Sequence, residues 1–358
     1  MKAVRFHGKE DIRIDEIPEP DCGPDQVIVA PSFCGICGTD LHEYINGPTE
    51  YPAKPHPLTG ECVPLTLGHE FSGVVVEVGD NVRTYSKSDR VVVQGVLYCG
   101  KCEPCRSGNR HVCVTPANIG QHGRGGGLAE EVACPADQVY KLPDHISLDV
   151  GALCEPLAVC EHAIRQVQPA VQSHQTALVL GCGAIGLGIV RLLRARGLTG
   201  IIVSEISQTR RQAALNLGAS HAVNPKDADV NAQIHRLTDN AGPHLVFDCA
   251  GVPASIETAL DVVRIHGHII EVAVATKKVS IDSNKLVFKE ATYKGSLSST
   301  PEDWKSVISK LREESLQPSS MITKVVPMDR VVKDGILGLT RGDEGLVKIL
   351  VEVNPAKV

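Results

Sequence analysis

Ala177-Leu178-Val179-Leu180-Gly181-Cys182-Gly183-Ala184-Ile185-Gly186 joins a short apolar run to a glycine-rich turn, and the helix-forming stretch Leu187 to Arg196 follows directly. A strand, a G-x-G-x-x-G turn and a helix in that order make a dinucleotide cradle. Gly181 permits the tight turn, Gly183 lets the backbone approach a pyrophosphate, and Gly186 lets helix and strand pack closely. Ala184 and Ile185 open the helix, whose amino terminus supplies positive potential to the phosphates. Glu205 lies nineteen residues past Gly186, at the end of the next apolar run, where a carboxylate can accept both ribose hydroxyls. It would repel a 2′-phosphate, so the expected cofactor is NAD; Arg210 and Arg211 stand close enough to pair with such a phosphate if Glu205 were neutralised or moved.

Outward from this stretch, apolar runs alternate with helical ones: Ile201-Ile202-Val203, Leu245-Val246-Phe247, and His268-Ile269-Ile270-Glu271-Val272. Such alternation predicts βαβ units around a parallel sheet buried on both faces. Before about residue 150 the pattern is different. Short β-branched runs (Val27-Ile28-Val29, Val74-Val75-Val76, Arg90-Val91-Val92-Val93) are separated by Gly, Pro, Asn and Asp, which predicts a β-rich domain with long loops. Pro48, Pro52, Pro55, Pro57 and Pro64 mark one such loop as stiff, exposed and free of helix or central strand. The closing run Val347-Lys348-Ile349-Leu350-Val351-Glu352-Val353 predicts a strand that returns to the first domain. At 358 residues the chain has room for about two domains.

Bulk properties narrow the partners. A hydrophobic content of 42% and a net charge of −6 describe a globular protein without the basic field that nucleic acid or anionic membrane would require. The run Ala177 to Val190 is too short and too glycine-broken for a membrane span of about 20 residues. The first residues, Met1-Lys2-Ala3-Val4-Arg5, carry charge where a secretory signal needs an apolar stretch. The tail Ala356-Lys357-Val358 departs from a peroxisomal Ser-Lys-Leu. Thirteen cysteines, an odd number, fit reduced thiols and metal ligands in a cytoplasmic protein better than disulfides.

Two clusters read as metal sites. Cys99, Cys102, Cys105 and Cys113 form C-x2-C-x2-C-x7-C, four thiolates able to enclose a tetrahedral zinc with no position left for water; closely spaced cysteines also hold iron–sulfur clusters. The second cluster is dispersed: Cys37, Thr39, Asp40 and His42 in one loop, His69 beside Glu70, and Glu155. Cys37, His69 and Glu155 can give three ligands and leave a fourth position open for a substrate oxygen. Cys34 with Cys37 also reads as a CxxC redox pair, and Cys154 is a thiol beside Glu155 that can compete for the metal. The second glycine cluster, Gly123-Arg124-Gly125-Gly126-Gly127, lacks a preceding strand and reads as a flexible turn.

Taken together, Gly35 to His42, Pro55-His56-Pro57-Leu58-Thr59-Gly60, Leu67 to Gly73, the cysteine lobe, Gly125 to Glu130, Glu155-Pro156-Leu157-Ala158-Val159 and the nucleotide fingerprint resemble the zinc-dependent medium-chain alcohol and polyol dehydrogenases. Within them the proline-histidine loop resembles the butanediol (acetoin) branch more than sorbitol dehydrogenases. The resemblance implies an α/β protein: a GroES-like β-rich catalytic domain over 1–155 carrying a structural zinc lobe at about 95–115, a doubly wound Rossmann NAD domain over 156–293, and a return segment over 294–358. It implies a catalytic zinc on Cys37, His69 and Glu155, with Glu70 as an occasional or water-bridged ligand. Asp40 would orient a metal-bound imidazole, and Thr39 and His42 would carry the released proton to solvent. The implied reaction is hydride transfer between a small secondary alcohol or vicinal diol and NAD, in a homodimer or homotetramer. Sorbitol- or xylitol-type polyols and a non-catalytic zinc and nucleotide-binding module are the alternatives.

Overall fold

The computed structural model describes residues 1–275, 277–343 and 345–355; the tail Ala356-Lys357-Val358 lies outside the described residues. The chain divides into two compact units: Met1–Glu155 with Thr300–Glu313 and Ile322–Val358, and Pro156–Ser299 with Glu314–Met321. Two parts of the closing segment, 294–299 and Glu314–Met321, thus belong with the second unit. Among the described residues no helix is long and apolar enough to cross a membrane.

The first unit is built on a seven-stranded sheet. Its strands run in the order Val139–Lys141, Arg90–Val93, Glu70–Val78, Gln26–Gly35, Lys348–Glu352 and Ile322–Pro327, with Val132–Pro135 pairing Gln26–Gly35 as well. The β-branched runs fill it because inward positions recur every second residue. Val27, Val29, Phe71, Val75, Val91, Val93, Ile349 and Val351 lie in one buried cluster. The registers matter for function. Gly35 faces Glu70 on one side and Leu350 on the other, so three distant segments meet at one sheet position. A Cβ on Gly35 would stand 2.0 Å from Glu70 Oε2. Only glycine leaves room for that carboxylate.

The proline-rich loop has little regular structure, and Pro55 and Pro57 are exposed. It is less detached than its composition predicts. Tyr51 is 2% exposed, packs edge-on against Phe6 at 5.4 Å, and donates its hydroxyl to Asp40 at 2.7 Å. An aromatic with a polar tip can enter a core wherever that tip finds a partner.

The second unit holds a six-stranded parallel sheet in the order His221–Val223, Gly200–Ser204, Thr176–Leu180, Leu245–Asp248, His268–Glu271 and Thr292–Gly295. Numbered along the chain this is 3-2-1-4-5-6, the doubly wound arrangement that binds dinucleotides at the carboxyl ends of its strands. Alternate residues on both faces are buried, Leu178 and Val246 as fully as Val179 and Phe247. The near-continuous apolar runs follow from that.

Candidate metal centre and nucleotide site

Strand Gln26–Gly35 ends just before Cys37, which caps the helix Gly38–Asn46. Asp40, the third residue of that helix, accepts the Cys37 N–H at 2.9 Å, so the turn holding the thiol is locked from within. His69 stands just ahead of strand Glu70–Val78, where the sheet brings it to Cys37. Ligand atoms of Cys37, His69 and Glu70 all lie within 4.8 Å of one another. The Nδ1 of His69 is buried without a hydrogen-bond partner, and Gln121 Nε2 lies 3.5 Å from its Nε2.

Charge at this centre is unbalanced. Burial works against a charged His69, but Cys37, Asp40 and Glu155 outweigh it and raise the imidazole's pKa well above its ordinary value. Burial, with Glu70 adding to it, pushes the Glu155 carboxyl up to about 7, against the lowering influence of His69 and Lys348. A thiol, an imidazole with an orphaned nitrogen and neighbouring carboxylates, Glu155 among them held at the edge of ionisation, make a donor set that suits a divalent cation.

Glu155 is close enough to act electrostatically on His69, but the tight cluster contains Glu70 instead. Glu70 is already engaged. Lys348 Nζ lies 2.9 Å from Oε1 and 2.6 Å from Oε2 and donates to Ile36 O at 3.0 Å; both side chains are 2% exposed. The Glu70 charge raises the Lys348 pKa even though burial works to lower it. Sequence reasoning passed over Lys348, although a lysine inside a buried apolar run always needs a partner.

Asp40, whose charge acts on His69, has a further task. Its two oxygens accept from Cys37 N and Tyr51 Oη, so it holds the Cys37 turn and is not hydrogen-bonded to His69 Nδ1. Thr39 Oγ1 lies 3.7 Å from Cys37 Sγ. His42 Nδ1 lies 3.3 Å from Thr49 Oγ1, whose hydroxyl donates to the buried Glu43. Cys34 is a core residue whose thiol pKa burial raises far above its usual value, and burial pushes Cys154 up to about 12. Both are kept as thiols.

The second cluster gathers Cys99, Cys102, Cys105 and Cys113, again with their sulfurs within 4.8 Å of one another. The N–H groups of Cys99 and Thr115 donate to Cys113 Sγ at 3.3 and 3.4 Å. Backbone hydrogen bonding, led by Val114, brings the Cys102 thiol down to about 6, while desolvation raises Cys105 to about 12. Four thiolates cannot coexist here unaided, and a dication is what would ionise the full set.

In the second unit the fingerprint turn precedes helix Ala184–Ala195, capped by Gly183 without a side-chain hydrogen bond. Its first N–H groups are therefore available to phosphate oxygens. A Cβ on Gly186 would meet Gly181 O at 1.9 Å, whereas one on Gly183 would meet nothing within 4 Å: the first glycine closes the packing and the second faces open space. Glu205 accepts the N–H of Cys182 at 2.7 Å and of Ser207 at 2.8 Å, which ties the acidic residue to the phosphate turn. Arg211 is spent on the carbonyls of Glu205 and Ile206, both at 2.7 Å. Arg210 lies in the first turn of the helix Gln208–Leu217, its N–H donating to Ser207 Oγ at 3.3 Å.

The family model described as alcohol dehydrogenase GroES-like domain matches residues 23–144, and the one described as zinc-binding dehydrogenase matches residues 184–313. An (R,R)-butanediol dehydrogenase of Bacillus subtilis is 38% identical over 355 residues, 99% of this chain and 100% of that protein. This chain belongs to the zinc-dependent medium-chain alcohol dehydrogenases. The crystal structure of 2R,3R-butanediol dehydrogenase from Bacillus subtilis superposes with a TM-score of 0.92, covering 99% of each chain at 38% identity. A putative zinc-binding dehydrogenase from Sinorhizobium meliloti, bound to NADP, gives 0.88 at 31% identity, covering 98% of each chain. As a medium-chain dehydrogenase the protein combines a GroES-like domain with a Rossmann domain. It is a zinc-dependent oxidoreductase of alcohols working with a nicotinamide dinucleotide.

Proposed function

We propose that this dehydrogenase interconverts a vicinal diol and its hydroxyketone, such as 2,3-butanediol and acetoin, with NAD as the hydride partner. The observation that carries the substrate is the full-length likeness to butanediol dehydrogenases. For the metal, Cys37, His69 and Glu155 are the ligands we assign, because both oxygens of Glu70 are committed to Lys348. Zinc held there would supply Lewis-acid polarisation, which brings an alcohol's ionisation within reach of neutral pH.

The surrounding residues handle the proton. Thr49 gives its hydroxyl hydrogen to Glu43, so toward His42 it can only accept, which puts a proton on His42 Nδ1. Nε2 is then a free lone pair on a side chain one-third exposed, a suitable acceptor on the path from Thr39 to water. Assaying NADH formation on butanediol stereoisomers, 2-butanol, sorbitol, xylitol and ethanol tests the substrate: kcat/KM should be highest on a butanediol, and a marked preference for a hexitol would replace this reading with a polyol one.

NAD preference rests on Glu205. In Glu205→Ala the ratio of kcat/KM with NADP to that with NAD should rise about tenfold or more, since about 1.4 kcal/mol of discrimination corresponds to a factor of ten. An unchanged ratio would remove Glu205 from ribose recognition. The protein is further proposed to be a cytoplasmic homodimer or homotetramer. Support for association comes from strand Thr292–Gly295, which among the described residues ends the parallel sheet with one edge unpaired and follows the exposed Val287 and Phe288; such an edge invites pairing with another copy.

A further inference from the structure

Two histidines outside the ligand set are held in a way that decides their chemistry. His56 lies in the proline-rich loop and His122 on the segment after Ala117–Asn118, and the two segments are tied together: Thr59 Oγ1 donates to His122 O at 2.6 Å and Arg124 N to Glu61 Oε1 at 2.8 Å. The imidazoles stand 5.3 Å apart, inclined at 65°. Each Nδ1 lies 3.2 Å from a backbone N–H, that of Leu58 for His56 and of Asn118 for His122. A backbone N–H can only donate, so each Nδ1 must be a bare lone pair. A neutral ring then carries its proton on Nε2.

Charging either ring would place a second hydrogen on Nδ1 and break the bond that shapes its loop. Desolvation, with His56 and His69 nearby, also keeps the His122 pKa low, at about 4. The pair is therefore two neutral Nε2–H donors. Among the described residues neither Nε2 has a protein partner, and both rings are only partly buried. They belong to the catalytic neighbourhood: Gln121, adjacent to His122, places its amide 3.5 Å from His69. Rings without charge suit an uncharged oxygen rather than a phosphate.

We propose that His56 and His122 form the subsite for the substrate's second oxygen, their Nε2–H groups donating to the hydroxyl on the carbon next to the one oxidised. That hydroxyl is present in both the diol and the hydroxyketone, so the subsite serves both directions. The proposal rests on the diol reading above and makes the histidines determinants of specificity rather than participants in hydride transfer.

Asparagine and glutamine separate the two nitrogens. Asn offers an oxygen near the Nδ1 position and keeps the loop's acceptor without the distal donor; Gln reaches the Nε2 position with an N–H. The readout is the ratio of kcat/KM on 2,3-butanediol to that on 2-butanol, which lacks only the second hydroxyl. We expect the ratio to fall about tenfold in His122→Asn and in His56→Asn, the scale of one net hydrogen bond in a desolvated site, and to recover most of its value in His122→Gln. An unchanged ratio in both Asn variants would overturn the subsite, as would equal losses on both substrates with a lowered melting temperature. If one Asn variant fails to fold, the other, on the opposite loop, decides. A wild-type enzyme with no preference for the diol over 2-butanol would sink the diol reading itself, before any variant is made.

Discussion

Lys348→Met is expected to lower the melting temperature of the zinc-loaded enzyme by roughly 6–20 °C. The pair it breaks is enclosed: Lys348 and Glu70 are each 2% exposed, and Nζ reaches both carboxylate oxygens. Removing one partner of such a pair leaves an uncompensated buried charge, which costs about 3–5 kcal/mol, and each kcal/mol moves the transition of a unit this size by about 2–4 °C. Ile36 O also loses its donor. The control is the double variant Lys348→Met with Glu70→Gln, in which no charge remains to be buried. Differential scanning calorimetry should find the double variant more stable than the single one. If the two melt together, the loss has another origin, such as the packing of the lysine stem, and the ion pair is not what the strand ends are built around.

How much of this was legible from the chain follows from how far apart the partners lie. The dinucleotide turn and the cysteine lobe were readable because their groups are neighbours in sequence, and a local backbone path fixes the spacing of the thiols and of the glycines. The pairing of Glu70 with Lys348 spans 278 positions and depends on the register of two sheet ladders, which no local pattern specifies. A second role of Asp40 was hidden for a related reason. The sequence shows a carboxylate three residues after Cys37 but not that it also anchors its own helix start, through the backbone N–H of Cys37 and the hydroxyl of Tyr51, while its charge still acts on His69. Tyr51 itself was hidden by the prolines around it, which announce a loop but not which of its side chains turns inward.

Cys102→Ser is expected to remove one of two zincs and to unfold the lobe while the rest of the first unit stays intact. Between Cys99 and Thr115 the regular structure is one turn of α-helix, Glu103–Arg106, and one of 3-10 helix, Arg110–Val112. The buried residues in that span are Cys105 and Cys113, so the metal and its ligands are the lobe's core. A serine hydroxyl stays protonated at neutral pH and replaces a thiolate poorly as a zinc ligand. Structural zinc contributes up to about 10–16 kcal/mol in small domains; losing even about 3 kcal/mol of local stability raises the open population about 100-fold. Lys101, Arg106 and Arg110 are exposed within the lobe, so trypsin should nick the variant there about 100-fold faster than the wild type, as read by mass spectrometry of the fragments. Turnover should persist in the uncut fraction, because Cys37, His69 and Glu155 lie outside the lobe. If the variant keeps both zincs, or resists trypsin as the parent does, the four cysteines are not a single metal-held core. If it loses both zincs and all turnover together, the two metal sites are coupled and the lobe supports the catalytic centre directly.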